Sequence, residues 1–366
     1  MSFSADDARY MARALELAHR GLYTTDPNPR VGCVLVKDGE VIGEGCHERA
    51  GEAHAEVAAI RASGKQHLYG ATAYVTLEPC CHQGRTGPCS TALIEAGVAR
   101  VVVAMRDPNP SVDGGGLKQL ADAGIKVEHG LMEQEAEALN PGFLSRMRRH
   151  RPWVRVKLAA SLDGRTALEN GESKWITTDA ARADVQRFRA RSSAILTGVS
   201  TVLHDNPSLN VRDLDIGRQP LRVVTDTQLR MPANAQLLHL PGQTLIATAS
   251  DDHGKAAALR DAGAEVLFIG TGGRSIDLPA LLQQLAAREI NELHVEAGAT
   301  LCGALLHAGL VDELVLYMAP HIMGSRARGL FNLPALETMA ERIDLEITDT
   351  RAVGDDWRIT ALIKNK

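Results

Sequence analysis

Residues 71–89 read ATAYVTLEPCCHQGRTGPC, and residues 53–62, a little upstream, read AHAEVAAIRA. These two stretches decide how the first half of the chain folds. ATAYVTLE (71–78) alternates as a strand does, Pro88 suits the first turn of a helix over 88–96, and Gly97 suits the position past its end. AHAEVAAIRA is a good helix former. Both stretches thus lead into helix beginnings, and those beginnings carry His54, Cys80 and Cys89. Zinc takes histidine nitrogen and cysteine sulfur in a tetrahedral shell, and a catalytic zinc keeps one position for water. Three protein ligands, His54, Cys80 and Cys89, leave that position open. Thiolates near a helix N-terminus are favoured by its partial positive charge. Glu56, two residues after His54, falls on a neighbouring helix face and borders the same pocket. Zinc lowers the pKa of its water to about 7 from about 15.7, making it able to attack an amidine-like ring carbon that bears an amino group. A carboxylate beside it, here Glu56, is needed to move the protons.

H-x-E followed by P-C-x-x-C is a general pattern of zinc deaminases, with the glutamate as acid/base and not as ligand. The chain departs from it, because Cys80 and Cys89 stand nine positions apart. Cys81 and His82 are therefore rival ligands. A purely structural site of Cys80, Cys81, His82 and Cys89 is the competing reading. It ranks lower, because adjacent cysteines rarely point at one ion and because it leaves H-A-E without a purpose.

Outward from this centre, residues 5–20 read as a helix capped by Ser4. TTDPNPR is a proline-broken loop, and VGCVLV-KDG-EVIGEG is a hairpin turning at Asp38-Gly39. RVVVAM (100–105), KQLADAG (118–124) and IKVEHG (125–130) add a strand, a helix end and a strand. A boundary is expected near 145–152, where SRMRRHRP reads as a solvated linker. Beyond it the β/α alternation restarts, from WVRVKLA through helices at 179–190, 255–262 and 299–308 to a last strand, WRITALI. Such alternation argues α/β architecture with a partly parallel sheet.

The 366 residues suit two domains. Net charge is −5 and aromatics are 4%, which argues against a nucleic-acid-binding face. No apolar run is long enough for a membrane span and the N-terminus lacks a signal-peptide core. The six cysteines are too sparse for a disulfide scaffold, which points to a reducing cytoplasm. Cys33, Cys46 and Cys302 read most simply as small apolar fillers.

TTDPNPRVGCVLV (24–36), GEGCHERAGEAHAE (43–56) and VTLEPCCHQGRTGPC (75–89) resemble the deaminase half of the bifunctional riboflavin-biosynthesis deaminase/reductases, whose version of the motif carries the longer loop between cysteines. VKLAASLDGRTA and GESKWIT resemble the reductase half. The resemblance implies a cytidine-deaminase-like α/β/α sandwich over 1–148, followed by a dihydrofolate-reductase-like α/β domain over 152–366. It implies zinc-dependent deamination of 2,5-diamino-6-(5-phosphoribosylamino)pyrimidin-4-one, then NADPH-dependent reduction of the ribosyl group to ribityl.

In the first half, Asn28 and Arg85 are candidate substrate contacts, Arg85 for the phosphate. Asp107 and Asn109 are weaker candidates than turn formers, and His47 is either a pocket wall or a strand end. In the second half, the resemblance implies that Ala159, Trp175, Thr201, Asp205, Thr227 and the turn Gly298, Ala299, Thr300, Leu301, Cys302, Gly303 and Ala304 contact NADPH. It implies that Ser173, Arg189, Leu209, Arg212 and Glu296 face the substrate, with Arg189 and Arg212 suited to its phosphate. Lys157 and Asp163 receive no role. The competing function is a nucleoside or nucleic-acid deaminase with an unrelated C-terminal binding domain. The expected partner is a small phosphorylated pyrimidine, with neither nucleic acid nor membrane, and the reading leaves room for a homo-oligomer.

Overall fold

The computed structural model describes residues 3–65, 67–82, 87–270 and 275–364. The chain divides into two compact units, Met1–His150 and Arg151–Lys366.

The first unit runs α1 (Ala5–Ala18), β1 (Gly32–Lys37), β2 (Glu40–Cys46), α2 (Ala55–Ala62), β3 (Thr72–Val75), α3 (Cys89–Ala96), β4 (Arg100–Val103), α4 (Gly115–Asp122), β5 (Lys126–His129), α5 (Glu133–Leu139) and α6 (Pro141–Arg149). The strand order is β2-β1-β3-β4-β5, antiparallel from β2 to β3 and parallel from β3 to β5. The turn between β1 and β2 places Asp38 and Gly39 at positive φ (53° and 80°), the conformation two-residue hairpins demand. Alternation along β1 sends Val34 and Val36 to α1, α5 and α6, and Cys33 and Leu35 to α2, α3 and α4. The result is a three-layer α/β/α sandwich. Gly32 is needed where β1 passes under α1, because a Cβ there would run into the Ala14 carbonyl.

The expected linker is a correction. Residues 141–149 form α6, so most of SRMRRHRP is helix. Pro141 occupies its first turn, Phe143 and Leu144 are buried, and Arg146, Arg148 and Arg149 crowd its C-terminal end, where the dipole favours them.

The second unit runs β6 (Trp153–Ser161), β7 (Arg165–Ala167), α7 (Asp179–Arg191), β8 (Ala194–Gly198), α8 (Val199–Asp205), β9 (Leu221–Thr225), β10 (Thr244–Thr248), α9 (His253–Asp261), β11 (Glu265–Phe268), α10 (Leu278–Ala287), β12 (Glu292–Val295), α11 (Ala299–His307), β13 (Glu313–Ala319), β14 (Arg328–Gly329), β15 (Leu345–Val353) and β16 (Asp356–Ile363). One sheet has the order β11-β10-β9-β8-β12-β6-β13-β16-β15, and β14 pairs with β7 apart from it. Strands β11 through β13 are parallel; β16 and β15 are antiparallel. Leu196, Val223, Leu245 and Val295 pack against α10 and α11. Ile195, Val224 and Ile246 pack against α8 and α9, and Val315 and Tyr317 meet α7. Covered on both faces, these strands read as apolar runs. β15 was not anticipated, since the expectation was a single last strand. Its LEITDTRAV lies at the open edge, mostly exposed on both faces, so no clean alternation marks it.

Among the described residues, no helix is long and apolar enough to cross a membrane.

Candidate active sites

His54 immediately precedes α2, with extended backbone (φ −72°, ψ 163°), and Cys89 opens α3 behind Pro88. Cys80 follows the turn after β3. The Cys89 N–H donates to Cys80 Sγ at 3.4 Å. His54 Nδ1 lies 3.2 Å from Cys89 Sγ and 3.6 Å from Cys80 Sγ. All three ligating atoms lie within 4.8 Å of one another. Zinc bonds of about 2.0–2.3 Å imply tetrahedral edges of roughly 3.5 Å, so this donor set fits one zinc ion. The four-ligand alternative is not assembled. Cys81 Sγ packs against the start of α4, where a Cβ on Gly115 would come within 2.8 Å of it, and His82 is exposed.

The shared hydrogen bond, aided by His54, lowers the Cys80 thiol and pushes Cys89 up, so one proton is shared between the two sulfurs; a zinc ion there would hold both as thiolates. The hydrogen bond to Cys80 raises His54. Glu56 is 3% exposed, and burial pushes its carboxyl up to about 7, beside Cys89. A cation at the three ligands opposes that push. A carboxyl poised near neutrality is suited to taking and returning protons.

His47 is buried, and its ring meets that of His54 edge-on at 5.3 Å. Its Nδ1 lies 3.0 Å from the Ala53 carbonyl and its Nε2 lies 3.0 Å from the Asn28 amide nitrogen. Nδ1–H therefore donates to Ala53, and Nε2 accepts from Asn28. Burial lowers the His47 pKa and keeps the ring neutral. Asn28 is thereby joined to the wall of the centre. Asp107 is pushed up to about 6 by burial, and its carboxylate accepts from the Asn109 N–H at 2.8 Å. Arg85 lies outside the described residues. Glu78 went unnoticed in the sequence, although its place just before Pro-Cys was a signal; its buried carboxylate accepts from four backbone N–H groups, of Asp107, Gly114, Gly116 and Leu117.

In the second unit the candidate residues cluster after the carboxyl ends of parallel strands, where open α/β sheets bind ligands. Thr201 and Asp205 lie on α8, directly after β8. Thr227 follows β9, and its carbonyl accepts from Thr248. Gly298 caps α11 after β12, with extended backbone. Trp175 is 70% exposed beneath the Arg182 guanidinium, 4.4 Å from its ring centroid. Asp205 pairs with Lys174 at 3.2 Å, with Ser173 one residue away. Ala159 is half-buried on β6 and Arg212 is exposed. Arg189 grips Glu296 with two bonds, 2.6 Å and 2.8 Å, and donates to the Asn210 carbonyl at 3.0 Å.

Arg189 and Glu296, both expected to face the substrate, are thus brought together as a bonded pair. Cys302 is also core, its thiol donating to the Ala297 carbonyl, and Gly303 lies against the backbone of Asn332. Leu209 is likewise packed in the core at positive φ. Of the turn, Gly298, Thr300 and Ala304 are exposed, while Ala299 and Leu301 are half-buried. Lys157 is half-buried near Glu296 and Arg189, and desolvation lowers its pKa. Asp163 accepts from the Met323 and Gly324 N–H groups, which ties the β6–β7 turn to that loop.

Comparison with known proteins adds to this geometry. Residues 152–359 match the family described as "RibD C-terminal domain", and residues 4–105 match "Cytidine and deoxycytidylate deaminase zinc-binding region". The chain is 52% identical to "Riboflavin biosynthesis protein RibD" of Escherichia coli (strain K12), covering 96% of this chain and 97% of that one. It is 47% identical to the Haemophilus influenzae protein of the same name, with 98% of each covered. A solved structure of Acinetobacter baumannii RibD superposes with TM-score 0.91 at 46% identity, covering 98% of this chain and 99% of that one. A diaminohydroxyphosphoribosylaminopyrimidine deaminase/5-amino-6-(5-phosphoribosylamino)uracil reductase from Thermotoga maritima superposes with TM-score 0.88 at 32% identity and the same coverage.

Proposed function

The chain belongs to the RibD family of bifunctional riboflavin-biosynthesis deaminase/reductases, and from that membership we propose which of its residues carry each reaction. The first unit deaminates 2,5-diamino-6-(5-phosphoribosylamino)pyrimidin-4-one. His54, Cys80 and Cys89 hold zinc, which when bound makes water acidic enough to add to the ring carbon bearing the amino group. Glu56 takes the proton released, passes it to the ring nitrogen and assists ammonia to leave. Asn28, with His47 behind it, borders the ring site, and Arg85 meets the phosphate. The carrying observation is the convergence of three ligating atoms within 4.8 Å, with the buried Glu56 two residues from one of them.

The second unit reduces the opened ribosyl group. NADPH supplies the hydride, and the protein supplies alignment. Trp175, Thr201, Asp205, Thr227, Gly298 and Thr300 form the cofactor side. Ser173, Arg212 and Glu296 form the substrate side, with Arg189 orienting Glu296. None of the six cysteines is paired in a disulfide, which supports a cytoplasmic location. The edge strand β15 leaves one side of its backbone ladder open, which supports association of two copies by strand pairing. Sedimentation at micromolar concentration tests it, and a monomer there refutes it.

The functional test is incubation of the full chain with the diaminopyrimidine phosphate, with and without NADPH, following ammonia and absorbance at the nicotinamide band. Ammonia release without NADPH, and NADPH consumption following it, are expected. NADPH consumption that precedes ammonia release would reverse the order of steps.

A further inference from the structure

The two cysteines read as metal ligands stand nine positions apart in the chain, and that spacing does not fix a distance on its own. The structure offers a second connection. The Glu78 carboxylate is 3% exposed. Its Oε1 accepts from the N–H groups of Gly116 (3.0 Å) and Leu117 (3.2 Å) in the first turn of α4. Its Oε2 accepts from Asp107 (3.2 Å) and Gly114 (3.1 Å). An anion at a helix N-terminus with four donors is a strong joint. The fit is close: a Cβ on Gly116 would strike the Pro79 carbonyl, and one on Gly115 would press on Cys81 Sγ. The next turn of the same helix reaches the other ligand. Gln119 Oε1 lies 2.6 Å from the Ser90 hydroxyl, next to Cys89, and the Ser90 N–H donates to the Cys80 carbonyl at 3.1 Å.

We infer that Glu78, acting through α4 and Gln119, is a positioning residue that sets the separation of Cys80 and Cys89. It touches neither metal nor substrate. The inference rests on the reading of His54, Cys80 and Cys89 as ligands. Outer-shell partners of this kind are worth about 10–100-fold in metal affinity or activity.

The test uses the full chain. Glu78→Gln keeps the size of the side chain but replaces one acceptor oxygen by an amide that donates, so the α4 joint loses acceptors. Zinc transfer to a chromophoric chelator should quicken about 10–100-fold. With cobalt(II) in place of zinc, the visible and thiolate charge-transfer bands should shift, because they report ligand geometry and not turnover. Reduction of the deaminated intermediate by NADPH should stay at the wild-type rate, which counts the protein through its second unit, and far-ultraviolet circular dichroism of the full chain should match wild type. Gln119→Leu cuts the other end of the brace, and should quicken zinc transfer by a smaller factor even if Glu78→Gln proves insoluble. Wild-type cobalt bands and zinc transfer in these variants overturn the inference, even if deamination falls. Cys89→Ser serves as the reference: if it too leaves the cobalt bands unchanged, the ligand assignment fails and not the brace.

Discussion

Burial acts on Glu56 and His47 by the same rule, disfavouring charge, yet suits them to different work. His47 is held neutral, with its tautomer set by Ala53 and Asn28, so it serves as a fixed wall. Glu56 is pushed up by burial, while a cation at His54, Cys80 and Cys89 would pull it back, and these opposed effects suit it to taking and returning a proton. Glu56→Gln should therefore lower ammonia release by roughly 10²–10⁴-fold, while NADPH oxidation with the deaminated intermediate stays near wild type. Stopped assays for ammonia beside absorbance measurements separate the two; equal loss of both in a folded protein refutes a division into two sites. Cys89→Ser should lose its zinc, and elemental analysis finding one zinc per chain would transfer the ligand role to Cys81 or His82. At this scale the sequence was readable where residue type and short spacing coincide, as in His54-Ala55-Glu56. It was silent where partners are remote. Arg189 and Glu296, 107 positions apart, each read as a substrate contact, and nothing in either neighbourhood announces that they bind each other. Glu78 was signalled only by its place before Pro79-Cys80, since its four partners are backbone groups with no side-chain signature.

Helix α1 shows what an element requires beyond its amphipathic stripe. Ser4 and Asp7 form a reciprocal cap at 3.0 Å and 2.9 Å. Asp7 also accepts from Tyr74 at 2.7 Å and pairs with Arg100 on β4 at 2.6 Å, a tie between helix and sheet. Ser4→Ala should cost about 1 kcal/mol. Asp7→Asn, which leaves Arg100 with Glu128 as its remaining anion at 2.6 Å, should cost about 2 kcal/mol. Both should appear as faster heat inactivation of ammonia release, with Asp7→Asn the more severe. Arg100, foremost, holds the Asp7 carboxyl well below the usual range. Its contribution is therefore full above pH 4 or so and fades as acid titrates the folded carboxylate. Elements with an unbroken period were legible: α1, the β1–β2 hairpin, and nearly every parallel strand of the second unit. Those that failed had mixed signals. The arginines at the end of α6 gave it the composition of a linker, and β15 is wet on both faces. The short α8 begins where β8 ends, leaving no loop to mark the change.

The chain as a whole offers a built-in probe, because its three tryptophans, Trp153, Trp175 and Trp357, all belong to the second unit. Tryptophan fluorescence in urea thus follows that unit's unfolding. Within it, His294 is fully buried beside Glu296, and burial holds its imidazole below the ordinary value of 6.5. The unfolded chain takes up a proton as pH falls through 6.5 before the folded chain does. Stability is therefore greatest above that value and declines below it. The urea midpoint should fall between pH 7.5 and 5.5, and His294→Gln should flatten that slope; an unchanged slope in the variant refutes the assignment. The strand order of this unit also bears on its birth. β6, made early, lies between β12 and β13, which are made more than a hundred residues later. As the chain leaves the ribosome, residues 1–150 are complete and free to settle, whereas β6 must wait, unpaired, for most of the message to be translated. The nascent reductase half is thus the stretch that chaperones have most reason to meet.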